Sequence, residues 1–210
     1  LYCFWLYAQQ ENQKLAEAVR EVKRSHSDGK VLFEKLANQN TEKLSDFDRA
    51  VRFFVLNRIT FSGTVESGGY SQKAFESRFT DSSIERLLPL EKILENVHIT
   101  NLDYRQVLTP SSEDVFTFFD PPYLSATKSK LYGKKGMLHT GFRHEEFAYA
   151  LKNYPHNWLV TYDDSPEIRA HFDFANLYEW ELQYGMNNYK KTTAAKGKEL
   201  FISNYPSAIE

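Results

Sequence analysis

Asp120-Pro121-Pro122-Tyr123 decides the reading of this chain, because of what runs into it. Val115-Phe116-Thr117-Phe118-Phe119 comes just before, an apolar, β-rich segment with the composition of a buried strand. Two consecutive prolines then end the strand, since neither can donate a hydrogen bond to a neighbour. The outcome is a carboxylate, two rigid carbonyls and an aromatic ring at the end of one strand. In open α/β sheets, ligands bind outside the carboxyl ends of the strands. The same four residues also suit a plain strand-to-loop turn, so the flanking sequence has to decide between the two.

Strands and helices alternate on both sides of that point. Upstream, Ser82 or Ser83 is placed to cap a helix running to about residue 96, and 97–101 reads as a strand. Downstream, 142–152 reads as a helix and 157–162 as a strand ending at Asp163-Asp164-Ser165-Pro166. Ser165 with Pro166 at the first helical position predicts a short helix to about residue 172. Residues 177–184 and 199–205 read as two further strands around a basic loop. This alternation is the signature of an α/β sheet. The first 60 residues depart from it. Residues 1–22 carry Leu1, Trp5, Ala8, Leu15, Val19 and Val22 on one face of a single predicted helix. Residues 25–45 are polar with helical potential, and 46–58 repeat apolar residues at helical spacing.

Composition bounds the function. With 210 residues, 41% of them hydrophobic, the chain can build a core and is not a disordered segment. The mean hydropathy of −0.56 and the lack of any 18-residue apolar run argue against a membrane-spanning helix. Cys3 is the one cysteine, cannot form an internal disulfide, and reads as a small buried hydrophobe of a cytoplasmic protein. The net charge of −2 gives no chain-wide basic footprint for nucleic acid. Local stretches differ: 121–144 holds four lysines and an arginine and 187–198 four lysines, neither with an acid. Such a face is enough to engage phosphates. Asp163 and Asp164 lack histidine or cysteine partners at ligand spacing, so they read as turn or cap residues and no metal is expected.

The D-P-P-Y tetrapeptide resembles the signature of amino-methyltransferases that use S-adenosylmethionine, in particular the Dam/D12 family of adenine-N6 DNA methyltransferases. Other stretches extend the likeness. Leu56-Asn57-Arg58-Ile59-Thr60-Phe61-Ser62-Gly63 resembles the family's L-N-x-x-x-F-x-G segment near its DNA-recognition region. Asp103-Tyr104 resembles the acidic–aromatic turn beside the cofactor adenine, and Phe142 and Phe147 resemble the F-x-H-x-x-F element near the target base. The resemblance implies a Rossmann-like α/β methyltransferase sheet with a small helical insert. It divides the chain into a catalytic-domain helix over 1–24, a recognition insert over 25–81 and the catalytic domain over 82–210. The family's N-terminal strands and its F-x-G-G cofactor loop are not found in these residues. Weak or no binding of the cofactor by this chain alone is therefore expected.

What the likeness implies chemically can be stated residue by residue. Asp120 and the Pro121 carbonyl would accept the hydrogens of an adenine amine, Pro122 would hold the backbone rigid, and Tyr123 would stack on the flipped base. Asp103, Tyr104 and Asp120 would face S-adenosylmethionine. Lys128, Lys130, Lys134 and Lys135 would contact phosphates of double-stranded DNA, with Phe142 and Phe147 lining the base pocket. His144 reads as structural, because methyl transfer to an amine needs no strong base before attack. A cognate restriction endonuclease is a further expected partner. Two other readings stay open at this stage: a catalytically silent DNA-binding fragment, and an N-methyltransferase acting on RNA or a protein amide.

Overall fold

The computed structural model describes residues 1–65, 68–109, 114–124, 141–183 and 196–206. The chain divides into two compact units, Leu1–Asn101 and Leu102–Glu210.

The first unit is helical among its described residues. Helix α1 (Tyr2–Gln10) and helix α2 (Asn12–Ser25) replace the single helix predicted over 1–22. The break is at Glu11, whose backbone leaves the helical region (φ −141°, ψ 44°). It lets the Asn12 side chain reach the Leu88 carbonyl, which the amide Nδ2 donates to at 2.5 Å. It also shifts the apolar stripe: Phe4, Ala8, Leu15, Ala16 and Val19 are buried, whereas Leu1 and Trp5 are exposed. Cys3 is half-buried against the core, as a small apolar residue would be. Helix α3 (Gly29–Ala37) starts at Asp28, whose carboxylate accepts from the Lys30 and Val31 amides. Helix α4 (Asp46–Ile59) is capped by Ser45 and carries Ala50, Phe54, Val55, Leu56 and Ile59 into the core, where α1, α2 and α3 pack on it. Helix α5 (Gln72–Arg78), α6 (Asp81–Glu85) and α7 (Leu90–Ile93) complete the unit.

Two expectations fail in this unit. The helix predicted from Ser82 or Ser83 to residue 96 begins instead under a capping box between Thr80 and Ser83. It then breaks before α7, where Pro89 lacks an amide hydrogen and restricts the residue before it. The strand predicted over 97–101 does not form. Its polar backbone finds another partner, since the Gln9 side-chain amide donates to the Leu94 and Val97 carbonyls.

The second unit holds a four-stranded sheet. Its elements are α8 (Tyr104–Val107), β1 (Phe116–Phe119), α9 (His144–Lys152), β2 (Asn157–Asp163), α10 (Pro166–His171), β3 (Asn176–Gln183) and β4 (Lys196–Ser203). The strand order is β1-β2-β4-β3. Strands β1 and β2 are parallel, and β4 runs antiparallel to both β2 and β3 between them. This is a mixed α/β sheet of the class the sequence predicts. Trp158, Val160, Tyr162, Leu200 and Ile202 project from one face. Phe147 and Leu151 of α9, Ile168 of α10 and Phe172 cover them. Arg169 fixes α10 by binding Asp164 through two nitrogens (2.6 and 3.0 Å) and reaching Glu179 of β3. Strand β1 is not the fully buried strand its composition predicts. Among the described residues it pairs only with β2, and its side chains alternate, leaving Phe116 and Phe118 more than half exposed.

Candidate active site

Strand β1 ends at Phe119, and the prolines that follow carry the chain out of the sheet with Asp120 exposed at the turn. Three contacts from other strands hold this turn in place. Thr161 of β2 donates its hydroxyl to Asp120 Oδ1 at 3.1 Å. Tyr123 donates its hydroxyl to Glu199 Oε2 of β4 at 3.2 Å. The Leu124 amide donates to Asp163 Oδ1 at the end of β2, at 2.8 Å. Asp163 and Glu199 face each other in the β2–β4 register, so both supports stand on one cross-strand pair. Pro121 and Pro122 lie half-buried between the pinned ends.

The electrostatics follow from this crowding. Burial pushes the Tyr123 hydroxyl up to about 12, the charges of Glu199 and Asp120 add to the rise, and a hydrogen bond with Thr161 opposes it. Tyr123 is therefore a neutral phenol at physiological pH. Burial also raises Glu199 above the usual glutamate range, and Asp120 and Asp163 add to that while the Tyr123 hydroxyl opposes it. Three carboxylates and one phenol thus share one end of the sheet.

Aromatic rings back this cluster. Tyr123 packs against Tyr162, with centroids 6.3 Å apart. The Tyr162 hydroxyl meets His144 Nδ1 at 2.9 Å, and burial holds the His144 imidazole below its usual range. A buried, neutral histidine bonded to a core tyrosine fits the structural role expected for it. Phe142 lies 5.1 Å from the His144 ring. Tyr104 meets Phe147 edge-on at 5.1 Å and Phe142 at 5.8 Å, and Phe119 meets Phe147 at 5.5 Å. Helix α8, helix α9 and the end of β1 thereby meet in one aromatic cluster. Phe147 is 1% exposed and is core, whereas Phe142 is half-buried. Asp103 is exposed and caps α8 by accepting from the Arg105 amide at 3.0 Å.

A sheet with D-P-P-Y at a strand end and an acidic–aromatic turn beside it suits more than one transferase, and the comparison with known families discriminates among them. The family model for D12 class N6 adenine-specific DNA methyltransferase matches residues 1–186. This chain belongs to the D12 methyltransferase family. No curated protein matches it.

In this D12 chain the predicted site residues Asp120, Pro121, Pro122, Tyr123, Tyr104, Phe142 and Phe147 gather in the second unit, with Asp103 one residue from the aromatic cluster. Lys128, Lys130, Lys134 and Lys135 lie outside the described residues. Sequence reasoning passed over Thr161, Asp163 as an anchor, and Glu199. Glu199 did leave a signal: it is an acid opening the apolar run Leu200-Phe201-Ile202, and an acid buried at such a place needs a partner. Thr161 left none, because threonine is ordinary in a strand.

Proposed function

We propose that this chain carries the methyl-transfer site of an adenine-N6 DNA methyltransferase acting on double-stranded DNA. The observation that carries the reading is the double anchoring of the D-P-P-Y turn, Asp120 to Thr161 and Tyr123 to Glu199. Asp120 is exposed and one of its oxygens is fixed by a hydroxyl, which sets the orientation of the carboxylate before any substrate arrives. A carboxylate so oriented accepts a hydrogen of the adenine amine, and the Pro121 carbonyl accepts the other. The nitrogen lone pair is then freed from the ring and aimed at the donor. Tyr123 cannot swing away while its hydroxyl is tied to Glu199, so its ring is held ready for the extruded base.

S-adenosylmethionine supplies the electrophilic methyl group of such a reaction. The residues present suit it chemically: Asp120 is an exposed carboxylate for a cationic ligand, and Asp103 with Tyr104 offers an exposed acid beside a half-buried ring for a ribose and an adenine. The methyl group would pass from the donor's sulfur to the amine nitrogen, and the proton that this nitrogen then sheds would leave to Asp120 or to water. His144 takes no proton, being buried and bonded to Tyr162. Residues 25–81 form the recognition insert in this reading, and Lys128, Lys130, Lys134 and Lys135 bind backbone phosphates. The setting is cytoplasmic, and no described helix is long and apolar enough to cross a membrane.

Because weak or no cofactor binding is expected of these residues alone, the test is incubation of a version extended upstream of Leu1 with methyl-labelled S-adenosylmethionine and duplex DNA of mixed sequence, followed by nucleoside analysis. Label in N6-methyladenine, reduced at least ~10²-fold by Asp120→Ala, is the expected outcome. Asp120 is exposed, so that variant keeps its fold, which circular dichroism checks. Label in RNA or protein, or in DNA regardless of Asp120, overturns the reading.

A further inference from the structure

Tyr104 offers its ring to the adenine of the methyl donor in the reading above, yet that ring does not stand bare. The Arg105 guanidinium lies over it, 5.1 Å from the ring centroid. Phe147 meets the same ring edge-on, and Phe142 lies against it at a tilt. Arg105 is held in this place by acids. Its Nη2 donates to Glu146 Oε2 at 2.9 Å, and its Nη1 lies 3.7 Å from Asp103 Oδ1. Glu146 stands in the first turn of α9 and also accepts from Arg143 Nη1 at 2.6 Å. The bond from Arg143, and with it the bond from Arg105, holds the Glu146 carboxyl below the usual glutamate range. Helix α8 has four residues and buries none of them fully, so its tie to α9 comes from the Tyr104 ring and this ion pair.

Exposed ion pairs add little to stability. What marks this one is where it puts a flat cation. A guanidinium is planar, delocalised and weakly hydrated, and it stacks on aromatic faces while still bonded to a carboxylate. The charges around it also balance, Asp103 and Glu146 against Arg105 and Arg143. Such a place suits a neutral ring system.

Resting on the methyltransferase reading, we propose that Arg105 is the cover of the nucleoside position and Glu146 its holder. Arg105 lifts from Tyr104 to admit the donor's adenine between them, stays bonded to Glu146, and stacks on the outer face of the base. Arg105 thus touches the cofactor, whereas Glu146 acts through Arg105 and is a positioning residue.

The experiment is calorimetric titration of the version extended upstream of Leu1 with S-adenosylhomocysteine, which carries the same adenosine and transfers no methyl group. Arg105→Met should weaken binding about tenfold. Arg105→Lys should weaken it nearly as much, because it keeps the charge and loses the plane. Glu146→Gln should weaken it about threefold in the parent and less than twofold when Arg105→Met is already present, since it has then no guanidinium to hold. Both side chains are about half exposed (56% and 44%), so each variant should melt within about 2 °C of the parent. The proposal is overturned if Arg105→Met binds as tightly as the parent or tighter, if Arg105→Lys matches the parent, or if Glu146→Gln costs as much without Arg105 as with it. These outcomes are read from binding, and the methyltransferase reading is judged by label in DNA, so the two failures are distinguishable.

Discussion

In the proposed site the Tyr123–Glu199 contact separates two duties of one side chain: the hydroxyl anchors, and the ring is the face offered to the base. Tyr123→Phe keeps the ring and loses the anchor, so stability measured by urea unfolding should fall by about 1 kcal/mol with stacking preserved. Tyr123→Ala loses both, and duplex binding should weaken by a further ~1–3 kcal/mol in a filter-binding assay. Glu199 makes a prediction about pH. Its folded pKa is raised above the ordinary 4.5, first by burial. Between 4.5 and the raised value the folded state holds more proton than the unfolded one, so stability falls as pH rises through that window. Above the window the charged, buried form bears the full cost. Glu199→Gln should flatten this slope and stabilise the chain at neutral pH, as thermal melts across pH would show. At this scale the sequence was readable only where the chemistry is consecutive. Asp120 and Tyr123 are three residues apart, but their supports are 41 and 76 residues further along the chain, and strand alternation does not say which partner a side chain will meet.

Helix α4 and strand β1 show why some elements can be read in advance and others cannot. Helix α4 has apolar residues at helical spacing, a serine cap and acids in its first turn, so local preference and packing agree. Ser45→Ala should cost about 1 kcal/mol in chemical unfolding. Helix α9 and strands β2, β3 and β4 were legible for the same reason. The helix break at Glu11 was not, because it serves a long-range bond from Asn12 to Leu88. Pro89 was a visible breaker that helical periodicity overrode. Strand β1 misled because composition reports β preference and not position in the sheet. Phe116 and Phe118 are more than half exposed on one face of the strand, an apolar pair that favours association. Phe118→Lys should slow the growth of light scattering on storage while the melting temperature stays near that of the parent.

Across the molecule, each unit has its own hydrophobic core built from one continuous stretch of chain. Calorimetry should therefore resolve two unfolding transitions, with Ser45→Ala shifting one and Glu199→Gln the other. One transition moved by both substitutions would show the units to be a single cooperative block. The strand order β1-β2-β4-β3 has a further consequence, for how the molecule is made. Strand β4 leaves the ribosome after every other described strand, yet its place is between β2 and β3. Until it emerges, β2 and β3 share no ladder, Tyr123 has no Glu199 to hold it, and the nascent chain exposes strand edges on both sides of a gap. Among the described strands, the sheet is completed from its middle by the last to be synthesised. A message broken shortly before the codon for Lys196 would yield a polypeptide with nearly all the residues of the site and no means of assembling them.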